Sequence, residues 1–491
     1  MPDGLSPAEF GATFKRFMDT VLAEAAPATS PLHQRLTAHL GADPAHLPVI
    51  VEEFDPWEHP NIQVAIEDYL AQGQRRAELT GASIPNKRFG SLGLSDIVSS
   101  LTSRQAVEEG PADFVNFHLD GDRVLSCVQF GLYLVSDGPT RLLVFVGGPP
   151  PNFNPRARLR VEVMSAEREA CSAFLAELAS AASRLNVYRG HVISLSPGDM
   201  GMGPQTLVQF HQLPRVERDH VVLPPGLLDR VERHTVVFAR HVERLLAAGR
   251  ALKRGILLFG APGTGKTLTV NYLVGQMPDR TVILTTGRGM GMTQQVARMA
   301  RSLAPSMVVL EDVDLIAEHR GQPFLPTGPL LFELLNEMDG LRNDCDVIFM
   351  LTTNRPDILE PALAARPGRI DLAVELPLPD ADGRRRLFDL YARGLELVDI
   401  DVGGIVHRTD GVSPAYVKEL LRKAALLAAE QDAPALTQRH LDAAMDELAA
   451  GGQLAERLVG FRPAEAAAPG PQGFPLPAGF PLPTRFPHPG R

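Results

Sequence analysis

Residues 260–267 combine the residue types that bind phosphate in a fixed order. In sequence they are Gly260, Ala261, Pro262, Gly263, Thr264, Gly265, Lys266 and Thr267. An apolar run at residues 255–259 predicts a buried strand before them, and a helix is predicted from Leu268 onward. A strand, a glycine loop and a helix N-terminus together form an anion site, because backbone N–H groups converge there and the helix dipole favours negative charge.

This loop predicts the binding of a nucleoside triphosphate. Lys266 is expected to reach the β- and γ-phosphates, and the Thr267 hydroxyl is expected to coordinate Mg²⁺. The backbone of residues 260–265 and the helix start at Leu268 are expected to contact the nucleotide. The predicted cofactors are therefore ATP and Mg²⁺.

Polar side chains follow the next predicted central strands. Glu311 and Asp312 come directly after the apolar residues 307–310, and Asn354 follows the apolar residues 347–351. Two acids at the end of a buried strand are costly unless they face a cation. By position, Glu311 takes the metal-side role and Asp312 activates water, while the Asn354 amide holds the attacking water or the γ-phosphate.

Two arginines lie further along, at Arg366 and Arg369, with no acid beside them. Guanidinium groups of this kind suit the negative charge that develops on phosphate in the transition state. Within one subunit they are expected to lie far from the nucleotide. They are therefore predicted to act on the nucleotide of a neighbouring subunit, which implies a ring.

The elements that position these residues alternate as strands and helices, which predicts a doubly wound parallel sheet. Residues 1 to about 110 are predicted to be mostly helical, followed by a β-hairpin and a further strand and helix that give an α+β region. The expected domains are an α+β substrate or adaptor domain (1–215), an αβα ATPase subdomain (216–380), a helical lid (381–460) and a Pro/Gly/Phe-rich disordered tail (461–491).

Composition narrows the function classes. The chain has 491 residues, 44% of them hydrophobic, and a formal charge of −10 that argues against a nucleic-acid-coating protein. Its three cysteines show no metal-ligand spacing. We find neither a signal-peptide pattern nor an apolar run of about 18 residues, so the expected location is the cytoplasm, without membrane insertion.

From about residue 223 to 448 the chain resembles the AAA family of ATPases, within the AAA+ superfamily. The resemblance is carried by residues 260–267, 307–314, 331–340 and 352–371. It implies a phosphate-loop αβα core, a helical lid, usually a hexamer, and ATP-driven unfolding or separation of other macromolecules. It also implies that Asn354 is the residue called sensor 1. By the same resemblance, Arg366 and Arg369 are arginine fingers, which contact the nucleotide bound by a neighbouring subunit.

Several positions depart from the family pattern. The acidic pair is Glu311-Asp312 where Asp-Glu is usual, an order similar to that of the Bcs1-type branch. Met290 occupies the pore loop where an aromatic residue is usual, and Pro414 removes a backbone donor from the lid motif beside the expected adenine site. No His-Glu-x-x-His sequence occurs, so the zinc protease motif of one AAA branch is absent.

These features favour a protein-remodelling ATPase with residues 1–215 as the client or adaptor domain. A second class remains open: a slow ATP-dependent switch or scaffold that assembles a ring and signals without threading a substrate. The acid order and the Met290 loop favour that alternative. A kinase or nucleotide-metabolising enzyme is disfavoured, because no acceptor site is visible in the sequence.

Overall fold

A computed structural model describes residues 30–83, 93–101, 107–149, 158–195, 208–285, 292–314, 344–357 and 369–450, with residues 11, 13–18 and 20. The chain divides into two compact units. The first comprises Met1–Gly260 and Gly265–Pro377, and the second comprises Ala261–Thr264 and Leu378–Arg491.

The first unit begins with a seven-stranded antiparallel sheet. Its strands are β1 (Val49–Phe54), β2 (Arg76–Ser83), β3 (Glu108–Gly110), β4 (Asp113–His118), β5 (Val124–Asp137), β6 (Thr140–Gly147) and β7 (Leu159–Met164). They lie in the order β1-β7-β6-β5-β2-β3, and β4 pairs with β5. The predicted hairpin is confirmed as β5 and β6, and the predicted strand after it as β7.

Helices cover both faces of this sheet, which makes the region an α+β domain as predicted. They are Pro31–Leu40, His59–Ala71, Leu94–Leu101 and Arg168–Arg184. Successive side chains of a strand point to opposite faces. Accordingly Tyr133 and Val135 join one core cluster while Leu132 and Leu134 join the other. Because both faces are buried, β5 and β6 read as continuous apolar runs rather than alternating ones.

The prediction of mostly helical structure before residue 110 was wrong for β1 and β2. Strand β2 contains the good helix formers Arg76, Ala77, Glu78 and Leu79, which is why local preference misleads there. Its pairing with β5, from Arg76 opposite Ser136 to Thr80 opposite Leu132, overrides that preference.

The second sheet is the predicted doubly wound sheet. Its strands are β8 (Val192–Leu195), β9 (Val208–His211), β10 (Arg254–Phe259), β11 (Thr281–Thr285), β12 (Ser306–Leu310), β13 (Val347–Thr353) and β14 (Leu372–Glu375). The order is β14-β10-β13-β12-β11-β8-β9, and every pair is parallel except β8 with β9. Helices Lys266–Gly275 and Thr293–Ser302 contribute to the two cores on its faces, so the αβα fold is confirmed.

The predicted domain boundary at residue 215 does not match this sheet. Strands β8 and β9 precede that residue, yet β8 pairs with β11 and extends the ATPase sheet. The chain around this boundary is also packed, since Val216 and Val221 are buried in the same core as Leu258. Strands β8 and β9 have four residues each, which is too short for an apolar pattern to predict them from the sequence.

The antiparallel sheet region and the ATPase sheet meet at residues just before β8. The buried Tyr188 hydroxyl donates a hydrogen bond to the Trp57 carbonyl at 2.8 Å. The neighbouring Arg189 guanidinium donates to carbonyls at the ends of two helices, those of Ser183 (3.2 Å), Ser302 (3.2 Å) and Ala304 (3.1 Å). One side chain therefore caps a helix of each region, as cations favour helix C-termini.

The second unit is helical, as predicted for the lid. Its helices are Ala381–Tyr391, Val402–Arg408, Pro414–Glu430 and Gln438–Ala450, and two short strands, β15 (Leu397–Val398) and β16 (Leu436–Thr437), pair in parallel. The tail predicted at residues 461–491 lies outside the described residues. Across the part of the chain that is described, no helix has the length and apolarity needed to span a bilayer.

Candidate nucleotide site

The loop at residues 260–267 has the predicted strand–loop–helix context. Strand β10 ends at Phe259 and the following helix begins at Lys266. Gly263 has a φ of +77° and Gly265 a φ of +94°, backbone conformations that residues with a Cβ rarely adopt. The loop therefore needs glycine at these positions to turn its N–H groups inward. This geometry is that of a phosphate cradle.

Lys266 is buried, with 7% of its surface exposed, although it is charged. Its Nζ donates a hydrogen bond to the Gly260 carbonyl at 2.9 Å. Burial lowers the pKa of Lys266, while the nearby negative charges of Asp312 and Asp314 act to raise it. A buried ammonium is stabilised by an anion, so a polyphosphate fits the loop chemically. Thr267 is exposed in the first turn of the same helix, where its hydroxyl is accessible to a metal ion.

Glu311 and Asp312 lie at the carboxyl end of β12, next to the end of β13, as predicted. The Asn354 Nδ2 donates a hydrogen bond to Asp312 Oδ1 at 3.1 Å. The Asp312 N–H donates to Thr352 Oγ1 at 3.1 Å. The structure therefore brings Asp312 and Asn354 into direct contact because their strands are neighbours in the sheet.

Asp312 has a φ of +50°, in the left-handed region that aspartate tolerates better than most residues. Backbone strain of this kind is commonly found at functional sites, where surrounding bonds hold it in place. In this conformation the Asp312 carboxylate accepts a hydrogen bond from the Asn354 amide. Glu311, the preceding residue, is half-buried and its N–H donates to the Thr285 carbonyl at 3.4 Å.

Among the described residues, no group of His, Cys, Asp and Glu side chains has the arrangement of an all-protein metal site. Mg²⁺ bound with a nucleotide usually takes one or two protein carboxylates and completes its shell with phosphate oxygens and water. Glu311 and Thr267 remain the predicted protein contributors.

Sequence reasoning assigned no role to Asp314, which lies two residues after Asp312. Asp314 is buried, and its Oδ1 accepts hydrogen bonds from Thr353 Oγ1 at 2.8 Å and from the Asn354 N–H at 3.2 Å. Thr353 Oγ1 in turn accepts from the Arg355 N–H at 2.9 Å.

The tip of the phosphate loop, Ala261–Thr264, belongs to the second unit. There the Ala415 N–H donates to the Gly263 carbonyl at 3.2 Å, and a Cβ on Gly263 would lie 2.8 Å from Ser413 Oγ. Pro414 occupies the first position of its helix, and Ser413 caps that helix by accepting from the Tyr416 N–H. The backbone N–H that proline lacks at position 414 would have no acceptor within the helix, because the first N–H groups of a helix are unpaired.

Arg369 lies just before β14, near the amino end of β10. The neighbouring Asp371 fixes this end, since its N–H donates to the Gly255 carbonyl at 2.7 Å and its carboxylate accepts from the Gly255 N–H at 2.8 Å. Strand β10 holds 6 residues. At about 3.3 Å per residue, roughly 20 Å separates this end from the phosphate loop.

This placement agrees with the expectation that Arg369 cannot serve the nucleotide of its own subunit. Arg369 is, however, only 7% exposed, and a finger must reach out of its own chain. Burial therefore disfavours Arg369 as the finger. Arg366, Met290 and residues 331–340 lie outside the described residues.

Comparison with known families identifies this region. Residues 256–378 match the family described as "ATPase family associated with various cellular activities (AAA)". Over these residues the chain is similar to the AAA ATPase domain. The matched range begins in β10 and includes the phosphate loop, Glu311, Asp312 and Asn354. The phosphate-loop αβα fold and the class of ATP-hydrolysing enzyme predicted from the sequence are thereby confirmed.

Curated relatives of this chain include three proteins named as FtsH ATP-dependent zinc metalloproteases. That of a Synechococcus species is 32% identical over 54% of this chain and 42% of its own length. FtsH 3 of Sphaerobacter thermophilus is 34% identical over 50% of this chain and 52% of its own. Chloroplastic FTSH 1 of rice is 28% identical over 72% and 54%. The chain therefore spans about half the length of these relatives.

Proposed function

We propose that the chain is a ring-forming AAA ATPase that uses ATP to remodel other proteins. The observation that carries this proposal is the contact of Asn354 with Asp312 beside the phosphate loop and the buried Lys266. A nucleotide-binding scaffold alone has no need for a carboxylate held in a strained conformation by an amide. The names of the curated relatives, ATP-dependent metalloproteases, support coupling of ATP to work on proteins.

The proposed chemistry follows from where the side chains lie. Lys266 and the loop N–H groups bind the β- and γ-phosphates. Asp312 accepts a proton from the attacking water, and Asn354 keeps the Asp312 carboxylate oriented. When bound, Mg²⁺ neutralises charge on the phosphates, with Glu311 and Thr267 as its protein partners.

The ring is proposed on the basis of Arg366 and Arg369. Asp371 ties the segment that bears Arg369 to the far end of β10, so a guanidinium from this segment reaches a nucleotide only across a subunit interface. We propose a homo-oligomer, hexameric in line with the AAA family, located in the cytoplasm. Within residues 1–215, the α+β region that precedes β8 would bind a protein client or adaptor. The formal charge of −10 makes nucleic acid a poor partner.

A slow switch or scaffold is the alternative, and one observation favours it. Asp312 has a shorter side chain than the glutamate usual at this position, and its Oδ1 is engaged by Asn354. Such a carboxylate positions water less closely, which lowers turnover. The Glu311-Asp312 order, similar to that of the Bcs1-type branch, fits either reading.

Two variants test the proposal. Lys266→Ala should abolish ATP turnover; unchanged turnover would refute the nucleotide assignment. Met290→Ala should abolish remodelling of an unfolded model substrate while ATP binding persists. If Met290→Ala leaves every ATP-dependent activity intact, the switch reading is the better one.

A further inference from the structure

Asp314 is the buried acid in the site that neither the phosphate loop nor the proposed chemistry uses. Its exposed fraction is 6%, and its carboxylate is accordingly withdrawn from water. A buried carboxylate is stable only when hydrogen bonds or positive charge compensate it. Thr353 Oγ1 and the Asn354 N–H supply the hydrogen bonds, and Lys266 supplies nearby positive charge.

Among the described residues, the hydrogen bonds of the Asp314 carboxylate all end on the segment that carries Asn354. Its Oδ1 receives the Asn354 N–H at 3.2 Å and the Thr353 hydroxyl at 2.8 Å. That hydroxyl oxygen accepts the Arg355 N–H at 2.9 Å, which fixes the turn after β13. Asp314 thus restrains the main chain on both sides of the Asn354 Cα.

A second set of hydrogen bonds links the same two segments, this time with donors at the end of β12 and acceptors at the end of β13. The Asp312 N–H donates to Thr352 Oγ1 and the Val313 N–H donates to the Thr352 carbonyl at 3.0 Å. Together the two sets tie the end of β12 to the end of β13. The contact between Asn354 and Asp312 is therefore held from both strands, with Asp314 as the buried anchor.

We propose that Asp314 is a positioning residue for ATP hydrolysis: through Thr353 it holds Asn354 against Asp312 without contacting the nucleotide. This inference rests on the proposed hydrolysis at Asp312. It implies that losing the anchor slows the chemical step and leaves ATP binding nearly unchanged. If Asp314 served stability alone, its substitution would lower the hydrolysis rate and the ATP affinity together, or neither of them.

The test uses the full chain and compares four variants with the wild type. Thr353→Val removes the hydroxyl at nearly constant shape, whereas Thr353→Ser keeps a hydroxyl. Asp314→Asn keeps an acceptor oxygen, whereas Asp314→Ala removes the acceptor. Single-turnover hydrolysis of ATP and equilibrium ATP binding are measured for each. Thermal melting identifies any variant that is unfolded.

We expect Thr353→Val and Asp314→Ala to slow hydrolysis about tenfold or more, the effect of losing one buried hydrogen bond, with ATP Kd changed less than about threefold. Thr353→Ser should recover most of the rate. The inference is overturned if folded Thr353→Val hydrolyses ATP at the wild-type rate, or if it loses affinity as much as rate. A wild type without turnover would instead overturn the proposed function, and the inference with it.

Discussion

The contact between Tyr188 and Trp57 makes a quantitative prediction about how the antiparallel sheet region is held to the ATPase sheet. Tyr188 is 2% and Trp57 5% exposed, and the Tyr188 hydroxyl donates to the Trp57 carbonyl at 2.8 Å. Tyr188→Phe deletes the donor at almost constant shape and leaves a buried carbonyl without this bond. Losing this hydrogen bond should lower the free energy of unfolding by about 1–3 kcal/mol.

Trp57 is the chain's single tryptophan, so its emission reports on this contact. In urea unfolding followed by Trp57 emission, Tyr188→Phe should reduce the free energy of unfolding by the predicted amount. Tyr391→Phe is the matched control, since no hydrogen bond of the Tyr391 hydroxyl is found within the described residues. A Tyr188→Phe transition that coincides with that of the control would refute the reasoning.

Three further results are expected. Burial lowers the pKa of His59 from 6.5 to about 4. Stability that is present above pH 6.5 is therefore lost as the pH falls towards 4, and about 2 kcal/mol of this loss lies above pH 5. Urea unfolding at pH 7 and at pH 5 measures this difference, and His59→Gln should reduce it. Gly263→Ala should weaken ATP binding in a filter assay, because its Cβ would lie 2.8 Å from Ser413 Oγ at a φ of +77°; wild-type affinity would contradict the strained geometry. Arg366→Ala should slow turnover of the assembled oligomer and spare ATP binding, and full turnover would remove Arg366 from the finger role.

Much of the ATPase site was predictable from sequence because its chemistry lies where buried strands end. The apolar runs of β10, β12 and β13 identified the loop at 260–267, the pair Glu311-Asp312, and Asn354. Parallel strands bring their carboxyl ends to one edge of a sheet, which predicted that these residues meet.

What the sequence could not show depends on long-range pairing. Strand β2 has a helix-like composition and becomes a strand only beside β5. Strands β8 and β9 are too short to give a periodic signal, yet they extend the ATPase sheet. The role of Asp314 depends on a hydrogen bond to Thr353, 39 positions away in the sequence. No local pattern contains that information.

The central claim is that Asp312, held by Asn354, activates water for hydrolysis of ATP bound at Lys266. Asp312→Asn keeps the shape and removes the base, and it is assayed by ATP retention and multiple-turnover phosphate release. This variant should retain ATP and slow phosphate release by about 100-fold or more, whereas Lys266→Ala should fail to bind ATP. Phosphate release by Asp312→Asn at the wild-type rate would exclude Asp312 as the group that activates water.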